Sequence, residues 1–215
     1  MTAVEAIAPY ASHFHRDLGA VAADLESYAN LLRKWQSVQN LVSRETLEQV
    51  WERHFADSLQ VLKLLTSADQ LILDLGSGGG FPALPLAIAA KSSARRFVLV
   101  EPTARKVSFL RTVARELGLA VEVIGGRAGA LDAAATGFPA VITSRALAPL
   151  AQLCAWAAPF FGPGTRAILH KGREHVEELA EAGAHWDFDV LRTASDTDPR
   201  GVLLTISNLR AKSVH

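Results

Sequence analysis

The chain has 215 residues, 49% of them hydrophobic, with 22 Lys plus Arg against 22 Asp plus Glu and so a formal net charge of zero. This composition excludes a disordered chain and gives no bulk attraction to nucleic acid or membrane, so any basic binding surface has to be local. A lone cysteine, Cys154, excludes an internal disulfide, argues against a cysteine-based zinc site, and reads as a small core residue on a helix.

The first 17 residues mix charges and lack an uninterrupted apolar run, and no stretch nears the roughly 20 apolar residues of a bilayer span, so a soluble cytoplasmic protein is expected. Val21, Leu25, Tyr28, Leu32, Trp35 and Val38 recur at three- and four-residue steps and predict one helix. Leu47, Val50, Trp51, Phe55, Leu59 and Leu62 predict a second, capped by Ser43 or Thr46, with a polar connection at 40–44. Trp35 and Trp51 fall on these stripes and are assigned to the core. Beyond Asp69 short apolar runs alternate with helical patterns. Strands are predicted at 71–75, 97–100, 121–124, 140–143 and 166–169, with helices from 83, over 103–117, 150–158 and 174–182. Two further strands, near 188–191 and 202–206, have no helix between them and predict an antiparallel pair. The expected fold is α/β: an open, mostly parallel sheet covered on both faces, carrying an N-terminal helical cap. The cap is placed at 1–67 and the sheet domain at 68–215, forming one compact unit.

The sharpest motif is Asp74-Leu75-Gly76-Ser77-Gly78-Gly79-Gly80-Phe81-Pro82, between the first strand and a helix. Glycines there admit positive φ and the close approach of a ligand to bare backbone, and Pro82 suits the first helical position. A dinucleotide fingerprint starting at Gly76 fails, because Phe81 stands where its third glycine belongs. The alternative D-x-G-x-G-x-G fits at Asp74, Gly76, Gly78 and Gly80, and resembles the first motif of class I methyltransferases, which bind S-adenosylmethionine. The second strand ends at Glu101, whose carboxylate can accept from both hydroxyls of a ribose; the plainer alternative is a surface acid before Pro102.

Taken together, Asn40-Leu41-Val42-Ser43, Arg53-His54-Phe55-Ala56-Asp57-Ser58-Leu59, the glycine turn, Glu101, Lys106 with Phe109-Leu110, Arg127-Ala128, Ser144-Arg145-Ala146 and Lys171-Gly172 occur in one order. That order resembles the small-subunit ribosomal RNA guanine-N7 methyltransferases, the glucose-inhibited-division protein B family, over about residues 30–175. The resemblance implies a bacterial, cytoplasmic enzyme with the class I methyltransferase fold. It would methylate N7 of a guanine near the decoding region of 16S RNA in the small ribosomal subunit, using S-adenosylmethionine. It implies that Gly76, Ser77, Gly78 and Phe81 line the cofactor with Asp74, Glu101 and Arg127, that Ala128 and Gly129 sit at the adenine, and that Arg145 reaches cofactor and active site. The family usually reads R-A-E where this chain has Arg127-Ala128-Gly129, and its basic C-terminal segment is reduced here to Arg210 and Lys212.

Guanine N7 carries a lone pair and no proton, so no general base is needed and catalysis rests on positioning and electrostatics. Arg145 and Lys171 are the catalytic candidates, either able to orient the base through O6. For Arg145 the alternative is a salt bridge at a strand end. RNA contacts are expected from Arg105 and Lys106, in a basic stretch that also holds Lys91, Arg95, Arg96, Arg111 and Arg115, and further from Arg53 and His54 of the cap and from Lys171. Asp57 has the spacing to pair with Arg53. No histidine pair has ligand spacing, so no metal site is expected, and a monomer is the default. The competing readings are a nicotinamide oxidoreductase, a noncatalytic cofactor-binding module and a small-molecule methyltransferase.

Overall fold

The computed structural model describes residues 3–37 and 39–213; Val38, the end of the first predicted stripe, lies outside them. α1 (Ala3–Ile7) and a 3-10 turn (Ala8–His13) lead into α2 (Leu18–Gln36). The Asp17 side chain caps α2 by accepting from the Ala20 amide at 2.9 Å. Val21, Leu25, Tyr28 and Leu32 are fully buried, so the predicted stripe is the packing face. Ser43, not Thr46, caps α3 (Arg44–Leu47), accepting from the Thr46 amide.

The second predicted helix is broken. A π-helical turn (Trp51–Ala56) follows, then α4 (Asp57–Leu59) and a 3-10 turn (Gln60–Leu64). The wider turn buries His54, Phe55 and Ala56 in succession, which the single stripe of an α-helix does not do.

The sheet and its helices then alternate: β1 (Leu71–Leu75), α5 (Ala83–Ala89), β2 (Arg96–Glu101), α6 (Ala104–Glu116), β3 (Val121–Gly125), α7 (Ala133–Thr136), β4 (Val141–Arg145), α8 (Leu150–Ala157), β5 (Arg166–Lys171), α9 (His175–His185), β6 (Trp186–Ala194) and β7 (Val202–Ala211). The seven strands lie in the order β3-β2-β1-β4-β5-β7-β6. β1 to β5 pair in parallel, and β7 is antiparallel to both β5 and β6. The C-terminal pair is longer than predicted, since much of β6 is exposed and polar and offers few apolar residues to read.

Side chains alternate along the inner strands. Ile72, Phe97 and Leu99 join the core beneath α2, α5 and α6, whereas Leu73, Leu75, Val98 and Val100 join the core beneath α8 and α9. Burial on both faces explains the continuous apolar runs. At the N-terminal edge, Arg166 grips Asp69 through two bonds of 2.7 and 3.1 Å, and Arg95 donates to the Asp69 and Thr66 carbonyls. At the opposite edge the strand order reverses between β1 and β4, which opens a crevice between their C-terminal ends. Among the described residues no helix is long and apolar enough to cross a membrane.

Candidate active site

Past Leu75 the chain turns back under the sheet edge: the Gly76 and Ser77 amides donate to the Val100 carbonyl at 2.9 and 3.0 Å. Gly76, Gly78 and Gly80 have φ of 69°, 56° and 98°. A Cβ on Gly76 would lie 2.4 Å from a Leu147 methyl, and one on Gly80 would lie 2.3 Å from Leu84 and 2.7 Å from the Tyr28 hydroxyl. That hydroxyl donates to the Gly79 carbonyl, fastening α2 to the turn. Pro82 occupies the N-cap of α5 and not its first helical position. Glu101 is no surface acid. It is 4% exposed, and its two oxygens accept from the Gly78 and Thr103 amides at 2.9 Å each.

Asp74 is buried beneath the turn. One carboxyl oxygen accepts from the Thr143 hydroxyl at 2.7 Å, while the other has no partner among the described residues. Burial, outweighing the hydrogen bonds, pushes its pKa up to about 7. An acid raised on folding keeps its proton in the native chain where the unfolded chain, with a pKa of about 3.9, has lost it. The resulting advantage is complete below about pH 4 and disappears as pH rises through about 7. Asp74→Asn, permanently neutral, should therefore melt above the parent at pH 8 and level with it at pH 4. An equal difference at both pH values would reject this account.

Arg145 ends β4 and joins the two halves of the chain. Its guanidinium donates to Asp57 Oδ2 at 2.8 Å, to the Arg53 carbonyl at 3.0 Å and to His54 Nδ1 at 2.5 Å. It also lies over the Phe81 ring, 5.0 Å from its centroid, and His54 stacks on the same ring at 4.6 Å. Since Nδ1 accepts, His54 carries its proton on Nε2, which faces the Thr46 hydroxyl at 2.9 Å. Burial, reinforced by Arg145, holds its pKa down to about 3, so the ring stays neutral. Asp57 thus pairs with Arg145 and not with Arg53 as the spacing suggested. Its other oxygen accepts from Thr197 at 2.7 Å and from Gln60 at 2.9 Å, and His170 and Arg145 hold its carboxyl below the usual range against the cost of burial. The salt-bridge reading of Arg145 holds, yet three of the five N–H groups of a guanidinium are used here, leaving two for a ligand.

The remaining candidates separate. Lys171 bonds Glu178 at 2.6 Å and the Ala148 carbonyl at 2.8 Å, with its side chain 7% exposed, so it fixes the loop after β4. His54 is likewise buried. Arg105 is exposed and Lys106 half-buried in the first turn of α6, beside the crevice. Arg96 begins β2 at the far edge, with Arg95 just before it, so the basic stretch is split by the length of a strand. Arg95 is buried, and Lys91 pairs with Asp24. Cys154 is a buried helix residue, as expected, and burial pushes its thiol up to about 11.

Two cavities meet at Leu147. One, of about 580 Å³, is a cleft bordered by Arg53, His54, Arg145, Lys171 and Thr197. The other, of about 510 Å³, is mostly apolar and bordered by Gly76, Pro102, Arg127, Ala128, Gly129 and Trp156. The bare backbone of Gly76, the buried Glu101 beside Pro102 and the apolar hollow lined by residues 127–130 are of a size and chemistry that fit S-adenosylmethionine. Sequence reasoning missed Tyr28, Thr143, Leu147 and Trp156, none of which stands in a motif.

Comparison with known proteins agrees. A family described as rRNA small subunit methyltransferase G matches residues 21–197. A ribosomal RNA small subunit methyltransferase G of Cereibacter sphaeroides is 42% identical over 86% of this chain and 89% of its own. One of Methylorubrum extorquens is 43% identical over 86% and 88%. Among solved structures, a ribosomal protein L11 methylase from Lactobacillus delbrueckii subsp. bulgaricus superposes with a TM-score of 0.56 at 16% identity, covering 72% of this chain and 78% of that one. A mutant of MtNAS in complex with S-adenosylmethionine superposes with a TM-score of 0.55 at 18% identity, covering 88% and 73%. At such identities these two establish the class I methyltransferase fold alone. The long match in sequence goes further: this chain belongs to the rRNA small subunit methyltransferase G family, and it is an S-adenosylmethionine-dependent methyltransferase.

Proposed function

We propose that the protein methylates N7 of a guanine in 16S ribosomal RNA, near the decoding region of the small subunit. The observation that carries this reading is Arg145, held at the crevice with two donors left over, between the glycine turn and the open cleft. The cofactor supplies an activated methyl group on its sulfonium. The chain supplies position: Gly76 and Glu101 hold the nucleoside, and Arg145 aligns the guanine edge or the methionine carboxylate. His54, neutral and with both nitrogens engaged, suits a reaction that removes no proton. Lys171 acts on the cleft through the loop it holds. Residues 1–67 and 68–215 work as one unit, since Arg145 of the second bonds Arg53, His54 and Asp57 of the first.

The test is transfer from labelled S-adenosylmethionine to small subunits from cells lacking the gene, followed by nucleoside analysis of the RNA. Label is expected in 7-methylguanosine of 16S RNA; label in any other nucleoside, or none, overturns the reading. The exposed Arg105 is assigned to phosphate contact. Arg105→Ala should weaken RNA binding and reduce the slope of log affinity against log salt by about one. Arg96→Ala, at the far edge, should leave both unchanged, and an equal loss in the two variants would remove Arg105 from the interface.

A further inference from the structure

We propose that Trp156 is the wall against which the adenine of the cofactor packs, and that position 129 is glycine because the indole lies over it. This rests on the cofactor reading above and extends it to a residue outside every motif. Trp156 stands in the last turn of α8 and reaches across to the short turn at 128–130. A Cβ on Gly129 would stand 2.8 Å from both Cδ1 and Nε1 of the indole, closer than side chains approach one another. The bare backbone of Gly129 therefore gives the ring its place. The same ring borders the apolar cavity together with Gly76 and Pro102, and among the described residues of the lining Arg127 alone is charged. A flat, uncharged purine suits such a hollow, because an aromatic face gains by stacking whatever the base, and an apolar wall excludes the water that would compete.

The probe is S-adenosylhomocysteine, titrated by calorimetry and by tryptophan emission. Wild-type protein should bind with quenched emission. Trp156→Ala should bind about 10- to 100-fold more weakly. Trp156→Phe should stay within about fivefold in affinity but lose the quench, which an indole packed elsewhere would not do. Gly129→Ala should weaken binding in the wild-type background and have no further effect beside Trp156→Ala, since both act on one contact. If Trp156→Ala fails to fold, the Phe and Gly129 variants decide the matter. Unchanged affinity in Trp156→Ala, or an unchanged quench in Trp156→Phe, overturns the proposal while leaving the cofactor reading intact. A wild-type protein that does not bind the probe overturns both.

Discussion

Arg145→Ala is expected to lower methyl transfer by about 100- to 1000-fold, the range found when a preorganised donor is removed from a reacting centre. The chain should stay folded. Asp57 would lose one partner but keep Thr197 and Gln60, with His170 nearby, so no bare charge is left in a dry core. Arg145→Lys should not restore activity. A single ammonium cannot reach Asp57, the Arg53 carbonyl and His54 together and still offer a donor pair to a ligand. Transfer rates measured with saturating cofactor, alongside circular dichroism melts, separate catalysis from stability. Turnover within tenfold of wild type in the alanine variant would reduce Arg145 to a strut.

Gly80→Ala is expected to cost about 3 to 5 kcal/mol of stability, from backbone strain at a φ no ordinary residue adopts together with overpacking. Neither conflict has an easy release, because φ is 98° and the new methyl would meet the Leu84 side chain and the Tyr28 hydroxyl. Gly76→Ala should behave differently. Its φ of 69° lies in the left-handed region, at a cost of roughly 1–2 kcal/mol. The methyl would displace the end of Leu147, a side chain that borders both cavities. Its main effect should then be lost affinity for S-adenosylhomocysteine. Urea unfolding and calorimetry on the two variants should give opposite orders of severity. A Gly80→Ala protein within 1 kcal/mol of wild type would contradict the packing described.

The sequence announced what is written locally. Glycines with a preceding Asp mark a turn that only glycine can make, and buried strands show as unbroken apolar runs, so the sheet and the cofactor motif were legible. Contacts between distant segments were not. Nothing near Asp57 signals that its partner is 88 residues away, and helical spacing pointed to Arg53 instead. The π turn that redirects Asp57 has no signature in periodicity, since it shifts the face by one residue. The basic stretch misled for a related reason. Charges adjacent in sequence sit at opposite ends of a strand, so Arg95 and Arg105 do not share a surface. Trp156, in a helical run, carries no local sign that Gly129 lies against its ring.

The surroundings of Asp57 also set an order in time. This acid leaves the ribosome early, yet its partner Thr197 lies 140 residues further on, in the connection between β6 and β7. At 5–20 residues per second the wait is roughly 7 to 28 s. Tyr10, Lys63 and Gln60 likewise reach forward to Asp196. A nascent chain therefore has its glycine turn, and Arg145 its three partners, before Thr197 reaches the other oxygen of Asp57. The last connection is thus a backstop made late: it closes the far side of Asp57 and Gln60 after Arg145 has taken its own partners.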